Sequence, residues 1–167
     1  DKVAIVTGTA RGNGRAIAEG LINAGAIVIA IDIIEHELDC QTVKCAILNF
    51  NEISKIVDST IERYGKIDIL VNNAGVSLGS KSDTYPDNLW EKTLAVNVSA
   101  PFRLTNLVAK SMKDNGSGSI INITSLNAEL AFPKNPAYMA SKGALKQLTK
   151  SLAYDLGQYG IRANNIG

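Results

Sequence analysis

The chain has 167 residues, 46% hydrophobic and 20% charged, with a net charge of +1 at pH 7. That is the composition of one globular domain with a core of its own, which excludes a disordered or fibrous chain. A charge so close to zero, without a long basic run, gives no electrostatic case for nucleic acid or a membrane surface, and every apolar run is too short to span a bilayer.

Val3 to Val6 is a continuous apolar run, the pattern of a strand buried on both faces of a parallel sheet. It ends in Thr7-Gly8-Thr9-Ala10-Arg11-Gly12-Asn13-Gly14, after which Ile17, Leu21 and Ala24 mark the inner stripe of a helix. Strand, glycine turn and helix together make a phosphate site. Glycines let the backbone approach a pyrophosphate, and the helix N-terminus offers unpaired N–H groups at the positive end of its dipole. Ala26 to Ile31 is a second buried strand closing on Asp32. An acid about twenty residues past the glycines can accept both ribose hydroxyls of an adenosine, so Asp32 favours NAD over NADP, against the pull of Arg11 within the turn.

A third strand is expected over Thr42 to Leu48, then a turn at Asn49-Phe50-Asn51 and a helix with Ile53, Ile56, Val57 and Ile61 inward, stopped by Gly65. Lys66 to Val71 is the fourth strand and runs into Asn72-Asn73-Ala74-Gly75. Such alternation implies right-handed crossovers and a doubly wound sheet. Pro86 opens the next helix, with Trp90, Leu94, Leu104, Leu107 and Val108 inward. Pro101, four residues after Asn97, has no N–H for the Asn97 carbonyl, so a kink is expected there, with that carbonyl free to hold a water. Ser119 to Ile123 is the fifth strand, ending at Thr124-Ser125, and Gly160 to Gly167 starts a sixth.

Between these last strands a long helix from Pro136 to about Gln158 has a leucine stripe at Leu145, Leu148, Leu152 and Leu156 and a small-residue strip at Ala137, Ala140 and Ala144. It carries Tyr138 and Lys142. Four helical residues turn through about 400°, which puts the two side chains on one face. Lowering a phenol from a pKa of about 10 to neutrality needs roughly 4 kcal/mol, about what one partly screened charge 4 Å away supplies. Tyr138 is thus a candidate acid/base, although such a pair arises by chance often enough to decide nothing alone. The remaining reactive groups do not assemble: Cys40, Cys45 and the single histidine, His36, make no zinc set, and His36 reads as a solvated loop residue.

With these motifs in this order the chain closely resembles the short-chain dehydrogenase/reductase family, in the branch with a Thr-Gly-x-x-x-Gly-x-Gly turn. The residues that carry the resemblance are Gly8, Gly12, Gly14, Asp32, Asn72 to Gly75, Asn97, Ser125, and Tyr138-x-x-Ser141-Lys142. The resemblance implies a single Rossmann-type α/β domain over residues 1–167, a three-layer α/β/α sandwich with strand order 3-2-1-4-5-6, cut before the family's substrate loop and final strand. It implies an NAD-dependent oxidoreductase, with NADP the lesser choice, that interconverts a secondary alcohol and a ketone. Tyr138 would be the acid/base, Lys142 its cationic partner and ribose ligand, Ser125 the partner of the substrate oxygen, and Asn97 the holder of a water in a proton relay. Gly8, Arg11, Gly12, Asn13, Gly14, Asp32, Asn49, Phe50, Asn73, Ala74 and Gly75 would line the cofactor with Tyr138 and Lys142.

Asn13 departs from the family's usual isoleucine or leucine, and Asn49 stands where an aspartate commonly meets adenine. The resemblance further implies a cytoplasmic protein whose partners are a small-molecule alcohol or ketone and copies of itself, in a homodimer or homotetramer through the helices containing Asn97 and Tyr138. Two rivals stand beside this reading: a non-catalytic NAD-binding or redox-sensing module, and a nucleotide-sugar epimerase or dehydratase, whose glycine turn is spaced differently.

Overall fold

Six strands form one parallel sheet in the order β3-β2-β1-β4-β5-β6, in a computed structural model that describes residues 2–167. β1 (Val3–Thr7) and β2 (Ile27–Asp32) lie side by side, Val3 opposite Ile27 and Thr7 opposite Ile31. β3 (Gln41–Lys44) forms one edge, while β4 (Ile69–Asn72), β5 (Gly118–Ile123) and β6 (Ile161–Ile166) extend the sheet on the other side of β1. The order of addition reverses at β1, so a crevice opens beyond the carboxyl ends of β1 and β4.

Alternate residues of the buried strands feed two cores, because successive strand side chains point to opposite faces. On one face Ala4, Val6, Val28, Ala30 and Val71 receive Ala18 of α1 (Gly12–Asn23). On the other, Ile5, Ile29, Ile31, Leu70 and Ile120 pack against α2 (Phe50–Tyr64), α4 (Ala100–Asp114) and α5 (Pro136–Gly157) through Ile53, Leu104, Val108, Leu152 and Leu156. This is the three-layer arrangement expected. None of the helices among the described residues is long and apolar enough to cross a membrane.

Local departures have local causes. β3 stops at Lys44 rather than Leu48: Cys45 N still reaches Asp32 O, but the chain then turns, Asn49 N donating to Ala46 O at 2.8 Å. β4 begins at Ile69 rather than Lys66, since Ile67 N is held by Ser111 Oγ at 3.1 Å and the Asp68 carboxylate by Val3 N and Lys2. Trp90, expected inward, is 40% exposed, because the first turn of α3 (Asp87–Leu94) is not fully covered and Thr93, Val96 and Asn97 carry the buried stripe. At Pro101 the missing donor is accommodated by a π-helical turn over Ala95–Ser99, with Ala100 N donating to Ala95 O, before α4 continues.

A buried polar chain ties the strands to the long helix. Asn72 Nδ2 donates to Asn122 Oδ1, its partner in the β4–β5 register, and Asn122 Nδ2 donates to Thr149 Oγ1 of α5, both at 2.8 Å. A slip in register would bury these amides unpaired at about 1–3 kcal/mol each, so the chain sets where α5 sits along the sheet.

Candidate active site

The turn between β1 and α1 is built around an absence of side chains. A Cβ on Gly14 would lie 2.0 Å from the Gly8 carbonyl oxygen, and one on Gly8 would lie 2.7 Å from Asn73 Nδ2. Asn73 Nδ2 donates to the carbonyls of Thr7 and Gly8 at 2.9 and 3.0 Å, and Thr7 Oγ1 accepts from the Asn73 and Ala74 amides, both at 3.1 Å. Asn73 thus lines the crevice while its side chain braces the turn. Arg11, at the N-cap of α1, makes no side-chain cap, so the first amides of the helix, at Gly12, Asn13 and Gly14, keep their donors.

These residues open on a cleft of about 730 Å³ that also takes in Asp32, Ala74 and Gly75. Asp32 is held at both oxygens, Oδ2 by Ala10 N at 2.9 Å and Oδ1 by Ile34 N at 3.0 Å. Asn49 and Phe50 do not line it. Asn49 Oδ1 accepts from Glu52 N as the cap of α2, and the Phe50 ring lies under the Arg103 guanidinium, 4.1 Å from its centroid. That wall is made instead by Ile33, Ile34 and the turn from Cys45 to Leu48, with Lys92 and Val96 of the α3 region opposite. His36 lies in a loop as expected but is half-buried and held: Nε2 lies 2.8 Å from the buried Thr9 Oγ1 and Nδ1 lies 3.0 Å from Ile34 O. Cys40 and Cys45 are unpaired thiols, both pushed up from the ordinary range, chiefly by burial.

A second cavity of about 770 Å³ shares Asn13, Asn73, Gly75 and Val76 with the first and holds Ser125, Tyr138 and Lys142. The helical spacing brings the Lys142 ammonium to 5.6 Å from the Tyr138 ring centroid, but its hydrogen bond goes to Ile123 O at 2.7 Å. Lys142 is only 4% exposed, and burial pushes its ammonium down to about 8. Ser125 follows β5 and caps a short 3₁₀ turn: its Oγ accepts from Asn127 N at 3.2 Å and donates to Asn127 Oδ1 at 3.0 Å. Asn97 is fully buried on the π-turn. Its Oδ1 accepts from Val76 N, and its Nδ2 donates to Val76 O, both at 2.8 Å, and to Ser141 Oγ at 3.0 Å.

The sequence profile described as short chain dehydrogenase matches residues 2–167. The chain belongs to that family. An NAD-dependent glycerol dehydrogenase of Listeria innocua is 36% identical over 99% of this chain and 69% of its own length. A 2-(R)-hydroxypropyl-CoM dehydrogenase of Xanthobacter autotrophicus is likewise 36% identical, over 99% of this chain and 72% of its own length. Among solved structures, a short-chain dehydrogenase from Streptomyces avermitilis superposes with a TM-score of 0.93 at 32% identity, covering 98% of this chain and 64% of that one. A 4-hydroxyisoleucine dehydrogenase complexed with NADH has the same TM-score and identity over 100% and 74%. The chain therefore spans about two thirds to three quarters of the length of these short-chain dehydrogenases.

As a member of the family, the chain shows three site contributions that motif reading did not supply. The Asn97 side chain fixes the segment after β4. Ser141 joins Asn97 to the Tyr138 carbonyl, to which it donates at 2.7 Å. Asn127 engages the Ser125 hydroxyl. The nearest sequence signal was the serine within Tyr138-x-x-Ser141-Lys142; nothing in the spacing pointed to Asn127.

Proposed function

We propose that this short-chain dehydrogenase is an NAD-dependent oxidoreductase that interconverts a secondary alcohol and a ketone, with Tyr138 as its acid/base. The observation that carries the reading is the continuity of the cavity holding Ser125, Tyr138 and Lys142 with the cleft of the glycine turn and Asp32. A dinucleotide fits that cleft: the crossing at Gly8 and Gly14 carries no side chain to exclude a pyrophosphate, the first amides of α1 have no cap, and a carboxylate stands at the end of β2. When bound, NAD supplies the acceptor or donor of hydride. Gly12, Asn13 and Gly14 would hold its pyrophosphate, Asp32 its adenosine ribose, and Gly75 and Lys142 its other end. Relatives named NAD-dependent glycerol dehydrogenase and gluconate 5-dehydrogenase, and a structural neighbour complexed with NADH, support the choice of cofactor and reaction.

In this reading the Tyr138 hydroxyl gives a proton to the substrate oxygen in reduction and takes it back in oxidation. Ser125 holds the same oxygen. Lys142, whose proton becomes labile at about pH 8, can resupply the phenol. A module that only bound the dinucleotide would need the glycine turn and Asp32 but not this second set. Self-association through α4 and α5 is supported by outward residues on both helices, Phe102 at 43% and Tyr154 at 88% exposure, and by the exposed Ala140 and Ala144 of α5.

The test is Tyr138→Phe in the full-length protein. Turnover of secondary alcohols should fall at least a hundredfold, the usual scale of a lost general acid/base, while NADH fluorescence titration still shows binding. Turnover within about tenfold of the parent would sink the assignment.

A further inference from the structure

The segment from Val76 to Ser80 has neither helix nor strand, yet four of its five residues are tied to four different places. Val76 is held by Asn97, Ser77 by Asn135, the Leu78 carbonyl by the Tyr85 hydroxyl, and the Ser80 amide by the Lys134 carbonyl at 2.9 Å. An irregular segment held so firmly at the rim of a cavity presents its side chains in fixed directions. Ser77 is the one that lines the cavity with Ser125 and Tyr138 and carries a hydroxyl.

Asn135 sets the polarity of that hydroxyl. It occupies the N-cap position of α5, where asparagine ordinarily bonds the first amides of the helix, but makes no such bond. Its Nδ2 instead crosses to Ser77 Oγ at 2.7 Å, and its Oδ1 is buried without a partner. Forgoing the cap and burying a bare carbonyl oxygen both cost stability, and proteins carry such costs where a site needs them. With its oxygen accepting from Asn135, the Ser77 hydroxyl keeps its proton, and no hydrogen bond takes that proton up among the described residues. Of the polar side chains in the same lining, none of Thr124, Ser125, Tyr138 and Lys142 bonds Ser77.

Ser125 and Tyr138 account for the reacting oxygen, under the alcohol–ketone reading on which this inference rests. We propose that Ser77 is a specificity-determining residue that donates to a second oxygen of the substrate, so the substrate class is one with oxygen functions on at least two carbons. Asn135 is the positioning residue that leaves the Ser77 proton free for it. Ser77 is exposed at the cavity mouth, so beside a one-hydroxyl substrate its donor turns to water, whereas a diol or hydroxy ketone takes it up from within the cavity.

The experiment compares butane-2,3-diol and butane-1,3-diol with butan-2-ol, which share a secondary hydroxyl. In the full-length protein with NAD, at least one diol should exceed butan-2-ol about tenfold in kcat/KM, the scale of one hydrogen bond to a neutral group. Ser77→Ala should bring that ratio to about one with butan-2-ol within twofold of the parent, and Ser77→Thr should keep it. Asn135→Ala should raise KM for the diol with little change in kcat, an effect that general loosening of the loop would not confine to the diol. A ratio unchanged in Ser77→Ala, or both alcohols falling equally, overturns the proposal. Calorimetric binding of the same alcohols to the NAD-loaded Tyr138→Phe variant reads the preference without turnover. A diol preference there that Ser77→Ala abolishes upholds Ser77 even if the parent oxidises neither alcohol, an outcome that would overturn only the reaction. Equal binding of diol and butan-2-ol overturns Ser77.

Discussion

Lys142 offers the sharpest physical test, because its predicted behaviour follows from burial alone. Its ammonium is 4% exposed, has one hydrogen bond, to Ile123 O, and is held down to about 8 from the ordinary 10.5. Between those two values the unfolded chain keeps the proton and the folded chain has released it. Unfolding therefore takes up a proton, and the contribution of Lys142 to stability rises with pH across the window. At 1.36 kcal/mol per proton per pH unit, integration from pH 7 to pH 9 with these two values gives a gain on the order of 1 kcal/mol. Other groups titrate in the same range, so the measurement is a double difference: urea unfolding of the parent and of Lys142→Met, each at pH 7 and pH 9. Lys142→Met leaves the Ile123 carbonyl unpaired at both pH values, so that cost cancels, as do the thiols and the remaining lysines. The parent should gain on the order of 1 kcal/mol on the variant as the pH rises. A double difference near zero, or a parent that loses ground, would refute the claim that a charged Lys142 is held in the fold at a desolvation cost.

Asn97→Ala removes three hydrogen bonds from a fully buried position and strands the Val76 amide, so unfolding free energy should fall by about 2–4 kcal/mol, measured by urea denaturation; a loss under about 1 kcal/mol would show that Val76 finds other partners. Cofactor choice follows from the Asp32 carboxylate, which is held by two backbone amides and would face a 2′-phosphate with like charge. NADH should bind at least about tenfold tighter than NADPH in a fluorescence titration, and the reverse order would show that the cations Arg11 and Lys92 on the cleft wall govern instead.

Much of this arrangement is legible in the chain itself because it is local. The apolar runs of β1 and β2, the stripe of α5, and the glycine turn depend on side-chain period and on backbone that only glycine fits at such a crossing, so they can be read from neighbouring residues. The Tyr138–Lys142 pairing is likewise helical spacing, and Asp32 stands where its strand runs out. Strand ends at β3 and β4 are not legible in the same way, because apolar residues there serve the cleft or bond outside the ladder, which composition does not reveal.

Only the tertiary structure decided which polar side chains reach across the fold. Asn97 gripping Val76, Asn122 reaching Thr149, Asn135 crossing to Ser77 and Lys142 turning to Ile123 join residues 19 to 58 positions apart. Asn49 and Phe50, expected at the cofactor, likewise have side chains engaged by a helix cap and an arginine, which the motif does not announce. The physical reason is the same in each case. A backbone conformation is selected by its own residue and its neighbours, whereas the direction of a polar side chain is selected by whichever donor or acceptor the folded chain leaves unpaired beside it.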